Sequence, residues 1–210
     1  ITQHPEGNET CEVIGSIVDY IFAFETPDLA IDRMAHADTK IVSLTITEGG
    51  YNFNPNTGAF DFDNPDIKHD LQYPNNPKTV FGYLAAALDK RRNNGLVAFT
   101  ILSCDNIQHN GAVTRSMILS FVKKKNPSLY NWIKNEVRFP NSMVDRITPV
   151  TPQSSIDFLN TKHQLKDDWP IVCEPYIQWV IEDNFSNGRP PLEKLGVQFV
   201  PDVTPYEKMK

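Results

Sequence analysis

The chain has 210 residues, of which 40% are hydrophobic and 22% are charged, and this composition is typical of a packed domain. Its net charge of -6 and pI near 5.3 argue against nucleic acid as a general partner, because phosphate binding needs a basic surface. No apolar run approaches the roughly 20 residues that span a bilayer, so we predict no membrane partner. Three widely spaced cysteines favour free thiols in a reducing, cytoplasmic compartment.

The first part of the sequence alternates predicted strands and helices. A strand is predicted over 12–18, followed by a helix that opens at Thr26-Pro27-Asp28, with Thr as N-cap and Pro as first helical residue. The β-branched run 41–46 predicts a buried strand that ends in the turn 47–50, where two glycines permit unusual backbone angles. Asn-Pro and Asn-Thr-Gly signals predict an irregular segment over 52–78.

Further helices are predicted over 79–92 and 112–125 and after the N-cap Ser128. The predicted strands and extended segments are 99–102, 139–149, 171–173, 176–181 and 197–200. A last helix is predicted to begin at Thr204 as N-cap, with Pro205 and Glu207 in the capping-box spacing. This order predicts an α/β fold with a later β-rich portion.

The segment 99–106 is the strongest indication of a site. It runs as a buried strand into Ser103, Asp105 and Asn106, and ligands of open α/β sheets bind outside the carboxyl ends of the strands. The Asn106 amide is suited to donate a hydrogen bond to a developing alkoxide or a carbonyl oxygen. Asparagine and aspartate at strand ends also cap turns, and this alternative stays open.

Other candidate groups carry weaker signals. Glu48 ends the neighbouring strand, whereas Asp145 lies in the proline-bounded segment 139–149. Lys210 acts as a general base only if burial or a nearby positive charge lowers its pKa. Nothing in the sequence marks a base for Cys104 as nucleophile, and His109 is interpreted as a solvated loop residue. The histidines and cysteines show no metal-ligand spacing, so we predict no metal site.

Several blocks occur together in one order and spacing. They are SLTITEGGY (43–51), FTILSCDN (99–106), HNG (109–111), FPNSMVDRITP (139–149), CEPYIQWV (173–180), GVQF (196–199) and DVTPYEKMK (202–210). Over residues from about 12 to the last, this set resembles the polyol-specific long-chain dehydrogenases. The blocks are too long for chance to explain their joint occurrence.

The resemblance implies a fold. Residues 1–203 would form the second part of a Rossmann-like nucleotide-binding domain with extra β-rich elements, lacking its first βαβ unit. Residues 204–210 would start a helical C-terminal domain. The family's Gly-x-Gly-x-Phe-His phosphate-binding turn would lie before residue 1. We therefore expect an interior segment of a longer protein that does not turn over by itself.

The resemblance also implies an activity, the zinc-independent, NAD-linked oxidation of a polyol to a ketose, with mannitol and fructose expected. Lys210 falls on the catalytic lysine of the family's Lys-x4-Asn-x2-His motif, and Asn106 on an asparagine that holds the reacting oxygen. Glu207 matches an acid that assists proton passage, and Asp145 a carboxylate that contacts substrate hydroxyls. Glu48 lies at the nicotinamide side.

Two alternatives remain open. A fructuronate or tagaturonate reductase of the same family needs a cation for the substrate carboxylate, and Arg146 is the candidate. A non-catalytic sugar- or nucleotide-binding domain is the other alternative, although the joint presence of Asn106 and Lys210 argues against it. The sequence leaves open the polyol, NAD against NADP, and the oligomeric state, including a monomer.

Overall fold

Residues 1–54 and 57–209 are described in the computed structural model, and they divide into two units. One unit contains 1–19 and 144–178, and the other contains 20–143 and the chain from 179 onward. The helices are α1 (Pro27–Ala35), α2 (Thr47–Gly50), α3 (Pro65–Gln72), α4 (Val80–Asn93), α5 (Asn110–Lys125), α6 (Pro127–Glu136), α7 (Gln153–His163) and α8 (Thr204–Glu207). The strands are β1 (Thr2–Gln3), β2 (Glu9–Thr10), β3 (Ile41–Leu44), β4 (Thr100–Ser103), β5 (Ser142–Asp145), β6 (Gln178–Glu182) and β7 (Gln198–Val200).

A parallel strand pair, β3 and β4, organises the larger unit. Ile41 lies opposite Thr100 and Leu44 opposite Ser103, so the two strands end together at one edge. All four β4 residues are buried, as expected for a strand covered on both faces. On the other side of β4, the Ile101 N–H donates to the Arg138 carbonyl at 3.1 Å. The predictions of these two strands and of the helices over 79–92 and 112–125 are confirmed, whereas the predicted turn 47–50 is the short helix α2.

The core of this unit lies between the strand pair and the helices α1, α4, α5 and α6. Its fully buried side chains are aliphatic and aromatic, and they include Leu84, Leu88, Phe99, Phe121 and Ile133. Burying a side chain of this kind contributes about 1.5–3 kcal/mol to stability. Helix packing around β3 and β4 therefore holds their carboxyl ends in place.

One buried cation fixes the amino end of the strand pair. Arg91 of α4 is 1% exposed. Its guanidinium donates to the carbonyl oxygens of His36, Thr39 and Val97, at 3.0 Å for Thr39 and 2.7 Å for Val97. These carbonyls belong to the loops that enter β3 and β4, so a single side chain ties both loops to α4.

Helix starts follow local capping chemistry, with three differences from prediction. Residues 52–78 are not all irregular, because the Asn64 side chain accepts from the Asp66 N–H at 2.9 Å and α3 begins there. Helix α6 is capped by Asn126 rather than Ser128, since the Asn126 side chain accepts from two backbone N–H groups at its start. Helix α8 begins at Thr204 itself, so Thr204 is not the N-cap that was predicted. The Asp202 carboxylate accepts from the Thr204 N–H at this helix start.

The predicted strand 12–18 is wrong. This segment has no regular structure, and its apolar side chains are exposed, with Val13 at 73% and Val18 at 90%. A strand exists only when a neighbour satisfies its backbone hydrogen bonds, and no neighbour pairs with 12–18 among the residues the structure describes. The β-branched composition of 12–18 therefore indicated only a preference for extended backbone, and no strand forms there.

The smaller unit contains the antiparallel pair β1 and β2, with Thr2 opposite Thr10, and the helix α7, which was not predicted. The predicted strand 171–173 reduces to an isolated bridge between Thr2 and Cys173. A third sheet contains β5, β6 and β7, in which β6 pairs in parallel with β7 and β5 lies beside β6. Within the described ranges, no helix is both long enough and apolar enough to cross a bilayer.

Candidate functional site

The carboxyl ends of β3 and β4 are joined by the carboxylate of Asp105. Its two oxygens accept from the backbone N–H groups of Ile46 at 3.0 Å and Thr47 at 2.8 Å. The Asp105 side chain therefore binds the turn that follows β3, although Asp105 itself follows β4. Because the residue is only 9% exposed, these bonds form largely away from water, where they are strong.

Tyr51 also belongs to this cluster, through its hydroxyl group. Its hydroxyl donates to the Asp105 carboxylate at 2.5 Å and lies 2.5 Å from the Ser103 hydroxyl. The single phenolic proton goes to the carboxylate, so the Ser103 hydroxyl donates to the phenolic oxygen. Burial, followed by the hydrogen bond to Asp105, raises the pKa of Tyr51. The hydroxyl therefore remains a proton donor at all physiological pH values.

Asn110, at the start of α5, joins three segments of chain. Its amide N–H groups donate to the carbonyl oxygens of Ser103 (3.2 Å), Asp105 (3.0 Å) and Ser142 (2.8 Å). Its amide oxygen accepts from the Ser142 N–H at 2.9 Å. The side chain is fully buried, which makes each of these bonds costly to lose. The end of β4, the start of α5 and the start of β5 are thereby held together.

Gly111 allows the first turn of α5 to lie close to the backbone of Phe139 and Pro140. A Cβ atom at this position would lie 2.5 Å from the carbonyl oxygens of both Phe139 and Pro140. The next helical N–H, that of Ala112, donates to the Asn141 side chain at 3.0 Å. The first turn of α5 therefore packs directly on the backbone of the segment that leads to β5, and any side chain at 111 would separate them.

The predicted site residues divide into buried and exposed groups. Ser103 and Asp105 are buried and bind Tyr51, so they support the site and do not face it, which corrects the prediction for these two. Asn106 is exposed immediately after them, and Glu48 is exposed on α2. The Asp105 bonds to the turn before Glu48 fix the two exposed residues to the same edge of the sheet.

Glu207 has a partner that was not predicted. Its carboxylate accepts from the backbone N–H of His109 at 2.9 Å, and its other oxygen lies 3.5 Å from the His109 ring Nδ1. The Glu207 side chain is 9% exposed, whereas the His109 side chain is 53% exposed. The interpretation of His109 as a solvated loop residue is therefore incomplete, because one side of its ring faces an acid.

Two further predicted residues, Asp145 and Arg146, belong to the smaller unit. Asp145 ends β5, and the exposed Arg146 donates through Nε to the Glu174 carbonyl at 3.1 Å, within the smaller unit. Lys210 lies outside the described residues, so its predicted role is neither supported nor contradicted by the geometry.

Cys104 is a poor nucleophile. Burial, together with the nearby Asp105 charge, raises the pKa of its thiol to about 11, so little thiolate exists at neutral pH. In the part of the chain that the structure describes, no three histidine, cysteine or acidic side chains lie close enough to hold a metal ion.

Sequence reasoning missed Tyr51, His109 and Asn110. All three lie in blocks that resemble the polyol dehydrogenases, so their signal was the resemblance itself and not any local pattern. The contacts of Tyr51 and Asn110 join residues more than 30 positions apart, which spacing along the chain does not reveal.

A family model described as "Mannitol dehydrogenase Rossmann domain" matches residues 2–194. The chain belongs to this family. The match confirms the predicted α/β, Rossmann-like fold. The chain is 50% identical to a polyol:NADP oxidoreductase of Gluconobacter oxydans, and the alignment includes 98% of this chain and 42% of that protein. It is 48% identical to a mannitol 2-dehydrogenase of Pyricularia oryzae, over 100% of the chain and 42% of the relative.

Two solved structures are also similar to the chain. The Pseudomonas fluorescens mannitol 2-dehydrogenase, solved as a ternary complex with NAD and D-mannitol, superposes with a TM-score of 0.90 and 54% identity. That match covers 94% of this chain and 40% of the other. A D-sorbitol dehydrogenase in substrate-free form superposes with a TM-score of 0.95 and 48% identity, over 98% and 43% of the two chains. The chain thus spans about two-fifths of the length of these relatives.

Proposed function

We propose that the protein containing this chain is an NAD-dependent polyol dehydrogenase that oxidises D-mannitol to D-fructose. The observation that carries the proposal is the 54% identity and TM-score of 0.90 to a mannitol 2-dehydrogenase solved with NAD and D-mannitol. Relatives named for the same activity, at 48% to 52% identity, support it. We further propose that residues 204–210 begin a helical domain that completes the site.

The carboxyl edge of β3 and β4 fits the nicotinamide end of the cofactor. Glu48 and Asn106 are exposed polar groups there, and a Cβ at Gly49 would meet nothing within 4 Å, so a planar ring has room to approach. Nucleotides bind at this edge in open α/β sheets. The sequence contains no Gly-x-Gly turn, so the phosphates require residues from outside it. Bound NAD supplies the hydride acceptor.

The proposed roles of the residues follow from their chemistry. The neutral amine of Lys210 takes the proton of the substrate hydroxyl, while the Asn106 amide donates a hydrogen bond to the oxygen as negative charge develops on it. A hydride leaves the carbon that carries this hydroxyl group, so the alcohol becomes a ketone. Glu207 passes the lysine's proton onward, and Asp145 accepts hydrogen bonds from the other substrate hydroxyls.

The direct test is NADH formation by the purified full-length protein with mannitol. Arabinitol and glucitol are compared under the same conditions, with both NAD and NADP, since one relative is named for NADP. Two ketohexuronates are assayed in the opposite direction, by the consumption of NADH or NADPH. Preferential oxidation of mannitol with NAD supports the proposal. A preference for hexuronates, lost on substitution of Arg146, would replace it with the uronate reductase alternative. The 210-residue chain alone is expected to show no turnover.

The roles of two residues are tested by substitution in the same protein. Asn106→Ala should lower kcat by about 10²–10³-fold, the usual effect of removing one oxyanion donor. Lys210→Ala should lower it by about 10²–10⁴-fold and change the pH profile, as loss of a general base does. Asn131→Ala, at an exposed position of α6, is the matched control and should leave kcat unchanged. Unchanged turnover in both site variants would refute the roles proposed for Asn106 and Lys210, whereas no turnover by the wild-type protein would favour a non-catalytic binding domain.

A further inference from the structure

His109 approaches both oxygens of one carboxylate. Its backbone N–H donates to Oε1 of Glu207 at 2.9 Å, and its ring Nδ1 lies 3.5 Å from Oε2. The carboxylate is almost fully buried, while half of the imidazole faces solvent. A buried acid with both oxygens addressed by one residue is held in position as well as in orientation.

The backbone of His109 is arranged for this contact. It has φ 53° and ψ 41°, in the left-handed region that few residues other than glycine adopt. The residue occupies the N-cap position of α5, yet its side chain makes no capping hydrogen bond to that helix. The ring is turned towards Glu207, and the left-handed backbone directs the N–H to the same carboxylate.

The two partners come from the segments that carry the proposed catalytic groups. His109 follows Asn106 by three residues and precedes Asn110, whose buried amide fixes the loop to β4 and β5. Glu207 precedes Lys210 by three residues. We propose that His109 is a positioning residue that sets Glu207 and the first turn of α8 relative to the Asn106 loop. This inference rests on the proposed function, which assigns the roles of Asn106 and Lys210.

Two acids lie near the side chain of His109. Glu207 contacts its ring, and Asp202 lies near enough for the positive charge of a protonated His109 to act on it. The pKa of Asp202 is lowered chiefly by its hydrogen bonds to Thr204, and further by His109 and Lys208. Both acids belong to the segment that leads into or forms α8, so the contacts of His109 with this segment involve more than Glu207 alone.

Two substitutions distinguish the contribution of the His109 ring from that of its backbone N–H. His109→Gly tolerates the left-handed backbone and keeps the N–H donor but removes the ring. His109→Asn also tolerates it, and its amide N–H₂ replaces the Nδ1 donor without titrating. In the full-length enzyme we expect kcat to fall about 10- to 100-fold in His109→Gly, as misplacement of reacting groups does. We expect His109→Asn to recover most of this loss.

The separation of kcat from KM distinguishes positioning from general support of the fold. In His109→Gly the loss should fall on kcat, while KM for NAD stays within about twofold, because the nicotinamide edge is untouched. His36→Asn is the matched control, since His36 forms a similar exposed pair with Asp38 at 3.7 Å far from this loop. A wild-type kcat in His109→Gly, no recovery of kcat in His109→Asn, or a loss in KM alone would overturn the inference.

A measurement without turnover keeps this inference distinct from the proposed function. NMR of isotope-labelled histidine rings reports which nitrogen of neutral His109 carries the proton. Donation to Glu207 requires the proton on Nδ1, and Glu207→Ala should remove this preference. A proton on Nε2 in the wild-type protein would overturn the contact itself. Failure to oxidise any polyol would instead refute the proposed function, and the ring assignment would still decide the contact.

Discussion

Replacing Tyr51 by phenylalanine should destabilise the fold at the site without creating a cavity. The ring is 1% exposed and keeps its packing, so the change removes only the hydroxyl and its two hydrogen bonds of 2.5 Å. The bond to the Asp105 carboxylate contributes about 1.5–3 kcal/mol and the neutral bond to Ser103 about 0.5–1.5 kcal/mol. Asp105 retains its two backbone donors, whereas the buried Ser103 hydroxyl loses its acceptor. The expected loss is therefore about 2–4 kcal/mol.

Urea unfolding followed by circular dichroism measures this loss. With a slope of about 2–3 kcal/mol per molar, the midpoint should fall by about 1 M. Tyr83→Phe is the matched control, because the Tyr83 hydroxyl donates to a neutral acceptor, the Ala23 carbonyl, at 2.8 Å. It should cost only about 0.5–1.5 kcal/mol. Equal losses in the two variants would refute the view that the Asp105 cluster holds the carboxyl ends of β3 and β4 together.

Three further predictions test the surroundings of the site. Because burial raises the pKa of Tyr51, the folded state keeps a proton that the unfolded state loses near pH 10. The free energy of unfolding should therefore decrease above about pH 10, and urea titrations should show a smaller decrease in Tyr51→Phe. Gly111→Ala forces a Cβ to 2.5 Å from the Pro140 carbonyl and should cost about 1–3 kcal/mol, whereas Gly49→Ala meets nothing; equal melting temperatures would contradict this. Iodoacetamide should modify Cys104 slowly, since the rise in its pKa from 9.0 to about 11 lowers the thiolate fraction roughly a hundredfold. Mass spectrometry showing modification as fast as that of an unperturbed thiol would disprove this prediction.

Local signals predicted those elements whose cause is local. Helix α1 starts where Thr26 and Pro27 indicate, and α4 starts after Thr79, whose side chain accepts from the Gly82 N–H. The same chemistry at Asn64 and Pro65 starts α3, but the surrounding turn dipeptides obscured it. The strand predicted at 12–18 failed for the opposite reason, because β-branched residues express only a preference and a strand needs a partner.

The arrangement of the site depended on contacts that no spacing reveals. Asp105 was expected to face a ligand because it ends a strand, yet it binds Tyr51, which lies 54 positions earlier. Whether a polar residue at a strand end faces solvent or the interior is decided by residues far along the chain. The roles predicted for Lys210, Asn106, Glu207, Asp145 and Glu48 came from resemblance and stay predictions until the substitutions are made.

Two buried charges, Arg91 and Asp105, lie at opposite ends of the parallel pair β3 and β4. Each binds backbone groups in the loops that enter or leave the strands. A slip of one residue would shift these groups by about 3.3 Å, and hydrogen bonds at both ends would break together. The register of β3 against β4 is therefore fixed at both ends of the pair. The residues that follow these strands at the carboxyl edge, Glu48 and Asn106, therefore start from fixed backbone positions.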